Sequence, residues 1–152
     1  MTYENAWYFK LLFMAGYDDG FDQWLDELLQ TQDPIEETVL ELSFCRSDRK
    51  KMLSLLNKFC VVRPQDQEAL LRKLRLFVKE AYTCGRFSRR EATTCMYCFT
   101  KNFGYFEIYN SSGWKSMYLM DDLLDDAEYG VIDLAEFDKH FLAYLNEGTA
   151  LL

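Results

Sequence analysis

Two cysteines stand three apart in Cys95-Met96-Tyr97-Cys98, the spacing with which a chain clamps a soft metal or forms a redox dithiol. A structural zinc site needs four ligands, usually from two such pairs. The other soft candidates are Cys84 and His140, and no second pair accompanies them. The pair also falls inside an apolar helical pattern, with Cys95 on its stripe, so both thiols are expected to serve as small hydrophobes. His140 is the only histidine, and nucleophilic catalysis of the Ser-His or Cys-His kind would have to use it. It sits in Asp138-Lys139-His140-Phe141, an ordinary surface stretch of the expected last helix. The acid pairs Asp18/Asp19, Asp121/Asp122 and Asp125/Asp126 have the chemistry for proton transfer or metal binding. Adjacent helical residues, however, point about 100° apart, and solvated faces and helix ends account for these pairs. With no Gly-rich phosphate loop or dinucleotide fingerprint, the chain is expected to be neither an enzyme nor a cofactor carrier.

The run from Asp125 to Glu136 resembles a calcium-binding EF-hand loop. It has Asp125 at position one, Gly130 at six, Ile132 at eight, Asp133 at nine and Glu136 at twelve, with Phe137 following. The resemblance implies Asp125, Asp133 and Glu136 as metal ligands. Positions three and five are Ala127 and Tyr129, which supply no carboxylate, whereas calcium takes six to eight oxygens. The same letters also spell a helix ending at Gly130 and a new helix capped by Asp133 with Glu136 in a capping box. That second reading, without metal, is the expectation.

Charge is unevenly distributed. Residues 1–45 carry ten acids and one base, residues 46–90 carry thirteen bases and four acids, and residues 91–152 carry eleven acids and three bases. The basic middle holds Arg72, Lys73, Arg75 and Lys79, a possible nucleic-acid face, but a pI near 4.7 opposes binding to a polyanion. An acidic surface suits a basic protein partner instead. The densest acidic stretch supplies Asp121, Asp122, Asp125, Asp126 and Glu128 as candidate partner-binding residues. Trp114 is a candidate aromatic anchor, with Tyr118 and Tyr129 nearby.

The elements that must position these residues are helices. Apolar residues recur at i, i+3, i+4 and i+7 in Leu70, Leu71, Leu74, Phe77, Val78 and Ala81, and again in Ala92, Cys95, Met96, Phe99 and Phe103. Asp33-Pro34-Ile35-Glu36, Ser88-Arg89-Arg90-Glu91 and Asp133-Leu134-Ala135-Glu136 read as capped helix starts. Gly16, Gly85, Gly104, Gly130 and Gly148 read as helix ends. The pattern predicts about eight helices, roughly 3–15, 21–31, 34–45, 48–60, 65–84, 89–103, 113–128 and 134–147. The one strand candidate is the alternation at Tyr105–Tyr109. The expected fold is all-α: a single domain over residues 1–152, built as an irregular helical bundle or a short α-solenoid-like stack. No apolar run approaches the roughly 20 residues that span a bilayer, and the N-terminus lacks the basic region of a secretory signal. Five cysteines, an odd number, fit reduced thiols, so a cytoplasmic location is expected.

In size, acidity and helix pattern the chain resembles small all-α bacterial proteins, some of which are immunity proteins against toxins delivered between cells. That likeness transfers no site residues. It implies a protein-binding domain that docks a partner through an acidic, aromatic-containing surface. The alternatives are a degenerate calcium sensor built on Asp125–Glu136 and a helical enzyme with an acidic site.

Overall fold

The computed structural model describes residues 1–148. Among them are nine α-helices and no strand, so the protein is all-α. The chain divides into two compact units, Met1–Leu70 and Leu71–Leu152, the division falling within one helix.

The first unit holds α1 (Tyr3–Ala15), α2 (Phe21–Thr31), α3 (Glu37–Phe44), α4 (Arg49–Phe59) and the first turn of α5 (Gln67–Thr83). Helix α1 begins at Thr2, whose hydroxyl accepts from the Asn5 N–H at 3.2 Å. It ends at Gly16, with φ +96°, where the Tyr17 N–H reaches the Leu12 carbonyl at 2.9 Å. This glycine closure satisfies carbonyls that the last helical turn leaves open. Ala6, Trp7, Phe9, Leu11, Leu12 and Phe13 are all buried. These residues cover more than one face, so α1 is the unit's central helix. It packs along α4, and Phe9 and Phe13 meet Phe21 and Trp24 of α2 at ring separations of 4.7–5.4 Å. The Trp7 indole donates to the Val62 carbonyl at 2.8 Å, tying α1 to the segment after α4.

The third helix departs from the sequence reading. It starts at Glu37, not Pro34, and residues 32–36 are non-helical around a cis Asp33–Pro34 bond. Glu36 does not reach back to Asp33 as a capping-box acid. Its carboxylate accepts from the Met1 amino group and from the Gln32 amide at 2.6 Å, and its own N–H donates to Gln32 Oε1 at 3.1 Å. These bonds close a turn where a helix start was expected.

The second unit holds the remainder of α5, then α6 (Arg89–Phe103), α7 (Tyr105–Asn110), α8 (Ser112–Glu128) and α9 (Leu134–Glu147). Helix α6 has the expected capping box, with Glu91 N–H to Ser88 Oγ at 3.1 Å and Ser88 N–H to Glu91 Oε1 at 3.4 Å. The one strand candidate, Tyr105–Tyr109, is the short helix α7. It puts Glu107 and Ile108 inward and Tyr105, Phe106 and Tyr109 outward, so the apparent alternation was one turn of helix with a small buried face. Helices α6 and α8 are the most extensively packed pair, with α7 and α9 both against α8. Their core is Met96, Phe99, Phe103, Trp114, Met117, Met120, Leu124, Phe137, Phe141 and Tyr144, all nearly fully buried. Phe103 stacks on Trp114 at 4.3 Å and Phe137 on Phe141 at 5.2 Å. The Tyr144 hydroxyl donates to the Gly113 carbonyl at 2.9 Å, so it enters the core with its polar end satisfied.

Candidate partner-binding face

Helix α8 has two faces of different character. Trp114, Met117, Met120 and Leu124 form the stripe that packs inward. Asp121, Asp125 and Glu128 flank that stripe on the side facing α6, and Tyr118, Asp122 and Asp126 lie farther from it. The expected anchor Trp114 is therefore corrected: at 1% exposure and stacked on Phe103 it is core, unable to reach a partner.

The acids themselves divide into two groups. Arg90 donates to Asp121 at 2.8 Å, to Asp125 at 2.7 Å and to Glu128 at 2.8 Å. Asp121 also accepts from Thr93 Oγ1 at 2.7 Å. Partial burial opposes the Arg90 charge, but the bonds to Glu128 and Asp125 and the field of Asp121 outweigh it and raise the guanidinium further. Asp121, Asp125 and Glu128 thus brace α8 against the start of α6. Asp122 and Asp126 are exposed and form no ion pair among the described residues. The Asp122 carboxyl is held above its usual range, first by desolvation and then by Asp121, Asp125 and Asp126. Its surroundings therefore disfavour the negative charge.

Beside Asp122 lies a group of tyrosines. Tyr118, one turn before Asp122 on α8, stacks on Tyr97 of α6 with centroids 5.3 Å apart. Its phenol is raised by burial first, then by Tyr97, Tyr105, Asp122 and Tyr109, which lie within electrostatic range of it. Tyr105 and Tyr109 lie one turn apart on α7, Tyr109 being 80% exposed, and the adjacent Phe106 is 73% exposed. The exposed rings here are those of α7, with the half-buried Tyr97–Tyr118 stack and the exposed Asp122 beside them. Aromatic faces attract cations, by about 0.5–1 kcal/mol at exposed sites, and carboxylates attract the same groups.

The other sequence candidates do not converge. Asp125 is held by Arg90, Asp133 precedes α9 in extended conformation, and Glu136 lies 3.9 Å from His140 Nε2. Among the described residues no three His, Cys, Asp or Glu side chains are grouped to hold a metal ion. Gly130, at φ +78°, closes α8 through Val131 N–H to the Asp126 carbonyl at 2.8 Å, the helix-ending turn of the non-metal reading. Asp133 occupies the N-cap position, but its side chain makes no capping bond. Cys95 is buried and Cys98 half-buried; burial pushes both thiols up, and Cys98 Sγ accepts from Asn102 at 3.2 Å. Cys84 and His140 are exposed.

Comparison of the chain with family models, with curated proteins and with solved structures gave no significant match. No helix among the described residues is long and apolar enough to cross a membrane.

Proposed function

We propose that this protein is a non-enzymatic binding module whose partner is a basic protein segment, docked on the face formed by Tyr97, Tyr105, Phe106, Tyr109, Tyr118 and Asp122. One observation carries the reading. Helix α7, packed on α6 and α8, leaves Tyr105, Phe106 and Tyr109 exposed beside the half-buried Tyr97–Tyr118 stack and the exposed Asp122. Arginine is the best-matched ligand, because its planar cation stacks on tyrosine while its N–H groups bond a carboxylate. The net charge of −8 adds long-range attraction for such a partner. A toxin-neutralising protein is one concrete form of this reading, in which the basic partner is the toxin.

The test is fluorescence anisotropy with a labelled peptide of alternating Arg and Gly. Tyr109→Ser combined with Asp122→Asn is expected to weaken binding by about tenfold, summing ring and charge contributions of roughly 0.5–1 kcal/mol each. Glu37→Gln, which removes one exposed acid from α3, is the control for net charge. Equal affinity of both variants would show that the peptide reads total charge and not this face.

A further inference from the structure

Helix α4 also has two faces. Met52 and Leu56 are buried against α1, whereas Lys51, Ser54, Leu55 and Lys58 recur at i, i+3, i+4 and i+7 and line a groove of about 400 Å³. The opposite wall is Glu41, Phe44 and Cys45 at the end of α3. That volume lies within the roughly 300–1,000 Å³ typical of small-molecule sites. Phe44 stands at 84% exposure, a large apolar ring left in water. The Cys45 thiol donates to the Glu41 carbonyl at 3.2 Å and to the Leu42 carbonyl at 3.6 Å. Burial and then Asp48 push it up, which disfavours the thiolate.

Charge differs between the two ends of the groove. Lys51 lies 3.9 Å from Asp48, and Glu41 and Asp48 are both neighbours of the adjacent Cys45. Lys58 has no ion pair among the described residues. Seven residues separate the lysines, about 10 Å along the helix at 1.5 Å per residue. The site is therefore an apolar trough with an uncompensated ammonium at one end, on a protein that is otherwise strongly acidic.

We propose that this groove binds a single-chain amphiphilic carboxylate, with its head group on Lys58 and its aliphatic body along Leu55, Phe44 and Cys45. The apolar walls select for a hydrocarbon chain, and the lone ammonium selects for a negative head. This site is independent of the acid–tyrosine face.

Isothermal titration calorimetry of the whole protein tests it, with decanoate below its micelle-forming concentration as the probe. Decanoate is expected to bind one to one and at least tenfold more tightly than decyltrimethylammonium, while acetate gives no heat. Lys58→Glu is expected to lower decanoate affinity at least tenfold and Lys51→Glu by threefold or less. Leu55→Trp, which fills the trough, is expected to abolish binding; Phe44→Ser, at an exposed position, serves the same purpose if that variant does not fold. Far-ultraviolet circular dichroism is expected to stay constant through the titration. Equal binding of the anionic and cationic chains, unchanged affinity in Lys58→Glu, loss of helicity during titration, or no saturable heat with decanoate would each overturn the proposal.

Discussion

Replacing Asp122 with Asn should move stability and binding in opposite directions. The folded-state carboxyl titrates above its ordinary range, because desolvation, Asp121, Asp125 and Asp126 all disfavour its charge. For an acid raised on folding, the native state carries a penalty at pH values above the folded pKa. The penalty fades as pH falls and is gone below the unfolded value, near 3.9. Asn removes the charge at nearly constant shape, and Asp and Asn have similar helix propensities. Asp122 is exposed, so solvent screening limits the gain to about 0.5 kcal/mol or less. The assay is urea denaturation in low salt at pH 7 and at pH 3. Asp122→Asn is expected to be the more stable protein at pH 7 and indistinguishable from the parent at pH 3. The same substitution is expected to weaken the Arg/Gly peptide by two- to fivefold, the value of one exposed charge pair. Lower stability at pH 7, or a gain that persists at pH 3, would refute the electrostatic reasoning. An unchanged peptide affinity would show that Asp122 is not part of the binding face.

Further expectations follow from the same geometry. Arg90→Gln leaves Asp121, Asp125 and Glu128 without their shared cation; a loss of about 1–2 kcal/mol after discounting for exposure should appear in urea titrations at 25 mM NaCl and shrink at 500 mM, while peptide association becomes faster. Trp114→Ala opens the stack with Phe103 and should cost about 3–5 kcal/mol, read as a lower denaturation midpoint. Ser88→Ala breaks a formed capping box and should cost about 1 kcal/mol, whereas Asp133→Ala, whose side chain makes no capping bond, should cost less than half as much in the same assay. The Asp138 carboxyl is held low by the Arg89 hydrogen bonds, so its contribution is present above the unfolded pKa and lost as pH falls through the folded one; Asp138→Asn should flatten the acid limb of the stability profile below about pH 4.

The helices were legible because the major ones repeat their apolar residues at helical spacing over two or more turns, as in Leu70 to Ala81. Where the pattern is shorter than two turns it fails. Tyr105–Tyr109 reads as alternation, whereas in the fold it is a helix packed on α8 and α6 with Ile108 buried. Asp33-Pro34-Ile35-Glu36 has the letters of a helix start, but the Glu36 carboxylate is claimed by Gln32 and Met1. The acids of α8 were visible in the sequence, but their division was not. Which of them meets Arg90, thirty or more positions away, depends on how α6 crosses α8. The burial of Trp114 was readable, since Trp114, Met117, Met120 and Leu124 share one stripe and Tyr118 and Asp122 share another. The assembly of Tyr97, Tyr105, Tyr109 and Tyr118 from three helices leaves no mark in a linear chain.

Nuclear magnetic resonance mapping puts the binding face to the most direct test. An unlabelled Arg/Gly peptide is added stepwise to the uniformly ¹⁵N-labelled protein, and amide shifts are followed residue by residue. Saturable shifts are expected at Tyr97, Tyr105, Tyr109, Tyr118 and Asp122, with Asp22 and Asp26, already engaged by Arg46, unmoved. Shifts spread evenly over every acidic segment, or none at all, would contradict it.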